Sequence, residues 1–415
     1  MNKKLSFPSR RPKKYGAKIY AASFSLYVGT GPVYWMPWAD PRIIYGIKIF
    51  LFAIVAGYPM IADFASRRDR GVNFPGGNVS VLIFFLFLIF SIPAGVLGIG
   101  NGNLEEVVRR TFNTFQVMVF LYSCGYAIKK QFIQEIVRKA VIVISLVCVI
   151  SIVGIVLMPN YPSPLNDDLS LFQTGFGGSR TGWAPSIALY LPWLYSLKLL
   201  PATITLLVLV AMVGNQISVA GRAGLLASFI PFGLWGWLSR RWKIFFISLI
   251  GLSIGIIYAI INAEALRLSS GRMSGADGLD ELSSGRWEQY EVAIRAIMES
   301  PLTGYGIGPL YYDGTYWTVH NIILRFAIEG GVIYAMLVIA ILLLPIIKIS
   351  QRIGGRNISG SILAAGLTII SGLINSMFEP EGMFGTFNQV CFWWVCYAIC
   401  VSSGFRGTDL DVRAR

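Results

Sequence analysis

Apolar runs of membrane-spanning length recur along this chain, at 79–98, 138–158, 201–220, 243–262 and 332–347. Each is close to the roughly 20 residues that cross a bilayer core. In hydrocarbon every backbone N–H and C=O must be satisfied within the protein, so such runs fold as helices. Composition agrees: 55% of the 415 residues are hydrophobic and 13% are charged, against roughly a quarter charged in soluble domains. The expectation is an all-α integral membrane protein. The basic N-terminal segment is not followed by a small-residue cleavage site and does not read as a removable signal.

Charge orders the runs. The net charge of +14 gathers in short segments: Lys3 to Lys18, Arg67 to Arg70, Lys129 to Lys139, Arg240 to Lys243, Lys348 to Arg356 and Arg406 to Arg415. These alternate along the spans, as positive-inside topology requires, so the charge reports orientation and anionic lipid rather than nucleic acid. Placing them in the cytoplasm gives a single polytopic domain over residues 1–415 with about 12 spans and both termini inside. The expected spans are 19–38, 42–62, 79–98, 107–127, 138–158, 183–199, 201–221, 223–239, 243–262, 319–347, 358–378 and 385–404. Ser274 then falls outside, with Gly71 and Gly354 inside. The external loop 263–318 is too long for a structureless connection and should carry structure of its own. Basic residues on the external side are all arginine, from Arg42, Arg109 and Arg110 through Arg180, Arg222, Arg267, Arg272, Arg286 and Arg295 to Arg325. Lys48, inside the second span, is the exception among the lysines.

The polar centre of the chain is 283–331, which holds the only histidine, His320. Within it, Trp287, Tyr290, Ile294, Ile297 and Met298 recur at steps of three and four, which predicts an amphipathic helix over 286–299 stopped by Pro301. Glu288 and Glu291 favour its first turn, and Arg286 sits at the N-terminus, where free N–H groups already attract an anion. A loop with Gly304, Gly306 and Gly308 follows, then Tyr311, Tyr312, Tyr316 and Trp317. These aromatics suit stacking on sugar faces and equally suit anchoring at a lipid interface.

Arg180 lies in GFGGSRTGWAP, a glycine-rich approach to a span, and Arg222 sits at the tip between two spans in VAGRAG. A charge at the bilayer edge is unfavourable unless solvated or paired, and guanidinium groups bind phosphate bidentately. Arg180, Arg222 and Arg286 are therefore candidate ligands for an anionic lipid substrate; snorkelling of Arg180 and helix capping by Arg222 are the structural alternatives. His320 suits general-base work on a hydroxyl, or a backbone bond at a helix start. Asn321, Arg325 and Glu329 step by four, and the last two should form a structural ion pair. External carboxylates (Asp167, Asp168, Asp277, Asp280, Glu281, Asp313, Glu379, Glu381) form no metal signature, and the one Asp-x-Asp, at Asp409 and Asp411, is in the cytoplasmic tail. Neither a metal nor another cofactor is expected. Cys124, Cys148, Cys391, Cys396 and Cys400 fall within spans and read as packing residues.

SRTGW at 179–183, VAGRAG at 219–224, GRWEQYEVAIRAIMESPLTGYGIG at 285–308 and HNIILRFAIEGG at 320–331 together resemble the O-antigen ligase and polymerase family of bacterial membrane glycosyltransferases. The likeness covers about 170–340. It implies a glycan transferred from undecaprenyl pyrophosphate to an acceptor hydroxyl at the periplasmic face of the inner membrane, without a metal. It also implies that Arg180, Arg222 and Arg286 hold the pyrophosphate while His320 takes or orients the acceptor proton. Tyr316 and Asn321 are further substrate-binding candidates on their own chemistry and their place beside His320. Polymerisation of O-antigen or exopolysaccharide repeats, with a lipid-linked acceptor and a chain-length regulator as partner, is the expected reaction. Transfer to lipid A core, the ligase reaction, or to a protein side chain differs only in acceptor. A polysaccharide or lipid-linked oligosaccharide transporter would need ionisable groups near the bilayer midplane, for which only Lys48 and Glu329 are candidates.

Overall fold

The computed structural model of the chain describes residues 14–66, 74–164, 166–197, 199–219, 221–261, 286–353, 359–378 and 382–402. Ser274, Gly71, Gly354, Arg267, Arg272, Asp277, Asp280, Glu281, Glu379, Glu381, Asp409 and Asp411 lie outside them. The architecture is helical. In chain order the helices are α1 (Lys14–Gly29), α2 (Pro41–Ser66), α3 (Gly77–Gly100), α4 (Leu104–Lys129), α5 (Ile133–Leu157), α6 (Leu171–Thr174), α7 (Arg180–Ala188) and α8 (Leu191–Leu197). They continue as α9 (Ala202–Ser218), α10 (Arg222–Leu238), α11 (Trp242–Ile261), α12 (Arg286–Glu299), α13 (Ile322–Ile353), α14 (Gly360–Ser376) and α15 (Phe387–Val401). Four of them, over Pro41–Phe64, Gly77–Gly100, Ile133–Leu157 and Ile322–Arg352, are long and apolar enough to cross a membrane, and shorter apolar helices accompany them.

Helix α15 is the axis of the bundle. Its residues Val390 to Val401 are all buried; Trp393 and Trp394 meet edge to face at 4.8 Å between centroids, and Tyr397 tilts against both at 5.6 and 5.3 Å. Tyr190 lies flat on Phe392 at 4.0 Å, which fixes α7 and α8 against that axis. All five cysteines are free and buried in this packing. Around the axis, α2, α3 and α9 leave apolar side chains such as Phe50, Phe85 and Leu206 exposed, as a lipid-facing surface demands.

Several element bounds differ from the sequence expectation. The run at 183–199 is two short helices broken at Leu189 and Tyr190, and the first helix stops at Gly29 rather than continuing to 38. Helix α13 looks continuous by apolar content but kinks at Gly330 and Gly331, the latter with φ 81°. The loop after α12 threads through that kink. Tyr305 and Gly306 donate to Ile328 O and Glu329 O at 2.6 and 2.9 Å, and Val332 donates to Pro301 O at 2.7 Å. The carbonyls freed by the kink are thus met by a neighbouring backbone. A side chain at Gly331 would put Cβ 2.2 Å from Leu302 O, so only glycine fits.

Two hairpins interrupt the helical expectation: β1 (Pro162–Ser163) with β2 (Asn166–Ser170), and β3 (Leu310–Tyr312) with β4 (Thr315–Trp317). The second turns at Asp313 and Gly314, both with positive φ, the two-residue turn that suits hairpin twist. Leu310, Tyr312 and Trp317 join Val292, Ala293 and Ala296 of α12 and Val319 and Ile328 in a small core. Hairpin, α12 and the start of α13 are therefore one platform. Tyr305 and Tyr312 hydroxyls also donate to the Glu299 carboxylate, and this holds it below its usual range.

Candidate functional site

Helix α12 carries Arg286 in its first turn and packs on α13. Tyr290, one turn on, donates its hydroxyl to His320 O at 3.0 Å and to Met377 O at 3.4 Å. Burial raises the Tyr290 phenol, against the nearby Arg286 charge, so it stays a proton donor to those carbonyls. Asn321 caps α13: its Oδ1 accepts from the Ile323 and Leu324 N–H groups at 3.0 and 3.1 Å. Its amide reaches Met377 O at 3.5 Å. The Arg286 guanidinium lies 5.7 Å from the centre of the Phe378 ring. Arg286, His320 and Asn321 therefore meet around the C-terminal end of α14.

From there the site continues under α7. Asn375 of α14 is buried and donates to Pro185 O at 3.2 Å, while its Oδ1 has no hydrogen-bond partner among the described residues. Asn375 lines a cavity of about 250 Å³ together with Arg109, Ser179, Ser186, Thr386 and Gln389. The wall includes Gly382, which packs against Ile322 at the start of α13. Ser179 caps α7 by accepting from Gly182 N at 3.0 Å, so Arg180 is the first residue of a capped helix whose N-terminus favours an anion. Arg222 is exposed and is likewise the first residue of its helix, α10. Gly221 and Gly224 let α10 approach Ala184 of α7 closely, so the two arginine-led helix starts are neighbours.

Beneath Asn321 the predicted Arg325–Glu329 pair forms, at 2.8 Å, but it is half of a larger cluster. Glu329 is fully buried and also binds Arg110 of α4 at 2.7 Å. Glu106 bridges Arg110 at 3.0 Å and Arg325 at 3.1 Å, and holds Arg109 at 2.7 Å. The cluster joins α4 to α13 and supports the helix that Asn321 caps. Tyr316 is placed differently. It pairs with Tyr311 across the hairpin, rings 4.8 Å apart, and both face outward, 71% and 59% exposed. Arg109, Asn375 and Gln389 join the site without a local sequence signal, because each lies on a helix whose neighbour in space is far away in the chain. Among the described residues no group of three or more His, Cys, Asp or Glu gathers.

The fold and this site define a multi-pass helical membrane protein with an arginine- and amide-lined site at one end of its bundle. A family model described as O-antigen ligase matches residues 204–339, the segment that carries Arg222, Arg286, His320 and Asn321. That segment of the chain is thus similar to O-antigen ligase. No curated protein matches the chain.

Proposed function

We propose that this protein polymerises glycan repeats at the periplasmic face of the bacterial inner membrane, both termini being cytoplasmic. It moves a glycan from undecaprenyl pyrophosphate to a sugar hydroxyl of a lipid-linked acceptor. The observation that carries this reading is the meeting of Arg286, His320 and Asn321 at the α12–α13 junction, within the matched segment. In the reaction the acceptor oxygen bonds to the anomeric carbon as the bond from that carbon to the pyrophosphate oxygen breaks. The leaving pyrophosphate gains negative charge, which the Arg286, Arg222 and Arg180 guanidiniums and the two helix N-termini stabilise where it develops. His320 takes or orients the acceptor proton. Asn375, Gln389 and Arg109 line the cavity beside it and present amide and guanidinium groups of the kind that recognise sugar hydroxyls.

Ligation is the second reading, favoured by the description of the matched family model. The acceptor decides between them. Purified protein in detergent, with chelator present, is given lipid pyrophosphate donor and either a lipid-linked repeat or a lipid A core acceptor. Chain growth on the lipid-linked repeat is the expected result; growth on the core alone makes the protein a ligase. No transfer to either refutes glycosyl transfer, and loss of transfer with chelator refutes a metal-independent reaction. Arg222→Lys and Arg286→Lys should each lose roughly tenfold or more, because an ammonium cannot reproduce bidentate phosphate contacts.

A further inference from the structure

A second cationic cavity lies at the same end of the bundle, where α2 begins. It measures about 310 Å³ and is lined by Tyr34, Pro41, Arg42, Ile44, Tyr45 and Lys48. Lys48 is only 3% exposed. Its ammonium donates to Gly31 O at 2.8 Å and lies 4.2 Å from the centre of the Tyr34 ring; no carboxylate among the described residues pairs with it. Burial without a carboxylate disfavours the ammonium form, and a phosphate seated in the cavity would supply the counter-charge that Lys48 lacks. Lys48 does not snorkel away from the bundle, since its head group is turned inward to Gly31. Arg42, six residues nearer the helix start, is exposed, which puts it about 9 Å farther toward the bundle end on helical rise.

The cavity's surroundings name the class of anion. Helix α2 sits at the bundle edge, with Ile43, Ile47, Ile49 and Phe50 exposed to lipid. Tyr45, which lines the cavity, is exposed beside those side chains, so a ligand reaching the cavity from the membrane would carry its charge at head-group depth. We propose that the cavity at Lys48 and Arg42 binds the phosphate of a membrane lipid, as a second lipid-phosphate site beside the one at Arg286. The two are close neighbours through α15. Gly31, which holds Lys48, packs against Asn388 O, and the next residue, Gln389, lines the cavity of the first site. On the polymerase reading the acceptor is itself lipid-linked, so two lipid phosphates must be held together on either side of the first turn of α15. That identification of the lipid rests on the proposed function; the phosphate binding does not.

Native mass spectrometry of the full chain in detergent tests this with two probes, a short-chain polyprenyl pyrophosphate and phosphatidylglycerol. Wild type should bind two polyprenyl pyrophosphates. Lys48→Met, which keeps the volume, and Arg42→Gln, at an exposed position, should each bind one, with affinity at the lost site down roughly tenfold or more. His320→Ala should still bind two. If Lys48→Met loses a bound phosphatidylglycerol and keeps the polyprenyl count, the site takes bulk lipid phosphate and the phosphate assignment stands. Unchanged binding of both probes in both variants overturns it. Lys48-dependent binding in a protein that transfers no glycan would leave this proposal standing and remove the polymerase reading instead.

Discussion

Replacing Glu329 by glutamine should disable the protein from beneath its site. The Glu329 carboxylate is fully buried, accepting from Arg110 at 2.7 Å through one oxygen and from Arg325 at 2.8 Å through the other. Glutamine fills the same space but removes the charge and turns an N–H₂ toward a guanidinium. Three arginines (Arg109, Arg110 and Arg325) then share one carboxylate, Glu106. Removing one partner of a buried ion pair costs ~3–5 kcal/mol, because the other charge stays buried and uncompensated. The assay is unfolding in detergent, followed by tryptophan fluorescence, in a double-mutant cycle with Arg325→Met. The double variant should recover part of the loss, with a coupling of roughly 0.5–3 kcal/mol. Transfer per folded molecule should fall too, since Arg325 N–H donates to Asn321 O at 2.9 Å and the cluster holds that helix in place. A Glu329→Gln protein within about 0.5 kcal/mol of wild type, with additive single variants, would refute the account of this cluster.

Two further perturbations probe the platform. Gly331→Ala should destabilise by roughly 1–3 kcal/mol, because its φ of 81° and the 2.2 Å approach of an added Cβ to Leu302 O both oppose a side chain; thermal unfolding in detergent measures it. The Glu299 carboxyl is held low by hydrogen bonds from Tyr312 and then Tyr305, so the tether it forms is complete above the ordinary carboxylate range and is lost as pH falls through the depressed folded value. Protection from hydrogen exchange over 305–317, taken relative to the intrinsic rate at each pH, should therefore fall at acidic pH in wild type, and Tyr312→Phe with Tyr305→Phe should flatten that dependence.

Much of this arrangement is legible in the amino-acid sequence where the signal is local. The 286–299 helix is marked by apolar steps of three and four and by Pro301, and it ends at Glu299 in the structure. The Arg325–Glu329 pair follows from helical spacing alone. Their partners Arg110 and Glu106 lie more than 200 residues away, and no period in the sequence links them. The kink at Gly330 and Gly331 falls inside one expected span, 319–347, and Gly304 and Gly306 take their role from the loop that threads past it. The hairpin at 310–317 has a local signal as well, since Asp313-Gly314 between alternating aromatics suits a two-residue turn. Arg180 and Arg222 are recognisable as exceptional positions, but that they begin adjacent helices depends on the approach of Gly221 and Gly224 to Ala184.

The central claim is that His320 handles the acceptor proton while arginines hold the pyrophosphate. Transfer from purified lipid pyrophosphate donor to acceptor by His320→Ala, with donor binding measured on the same protein, tests it most directly. The account predicts donor binding like wild type and transfer down ~10²–10⁴-fold, with His320→Gln also low because an amide cannot take a full proton. A folded His320→Ala protein that transfers as fast as wild type would contradict it and leave the arginines as the whole catalytic apparatus.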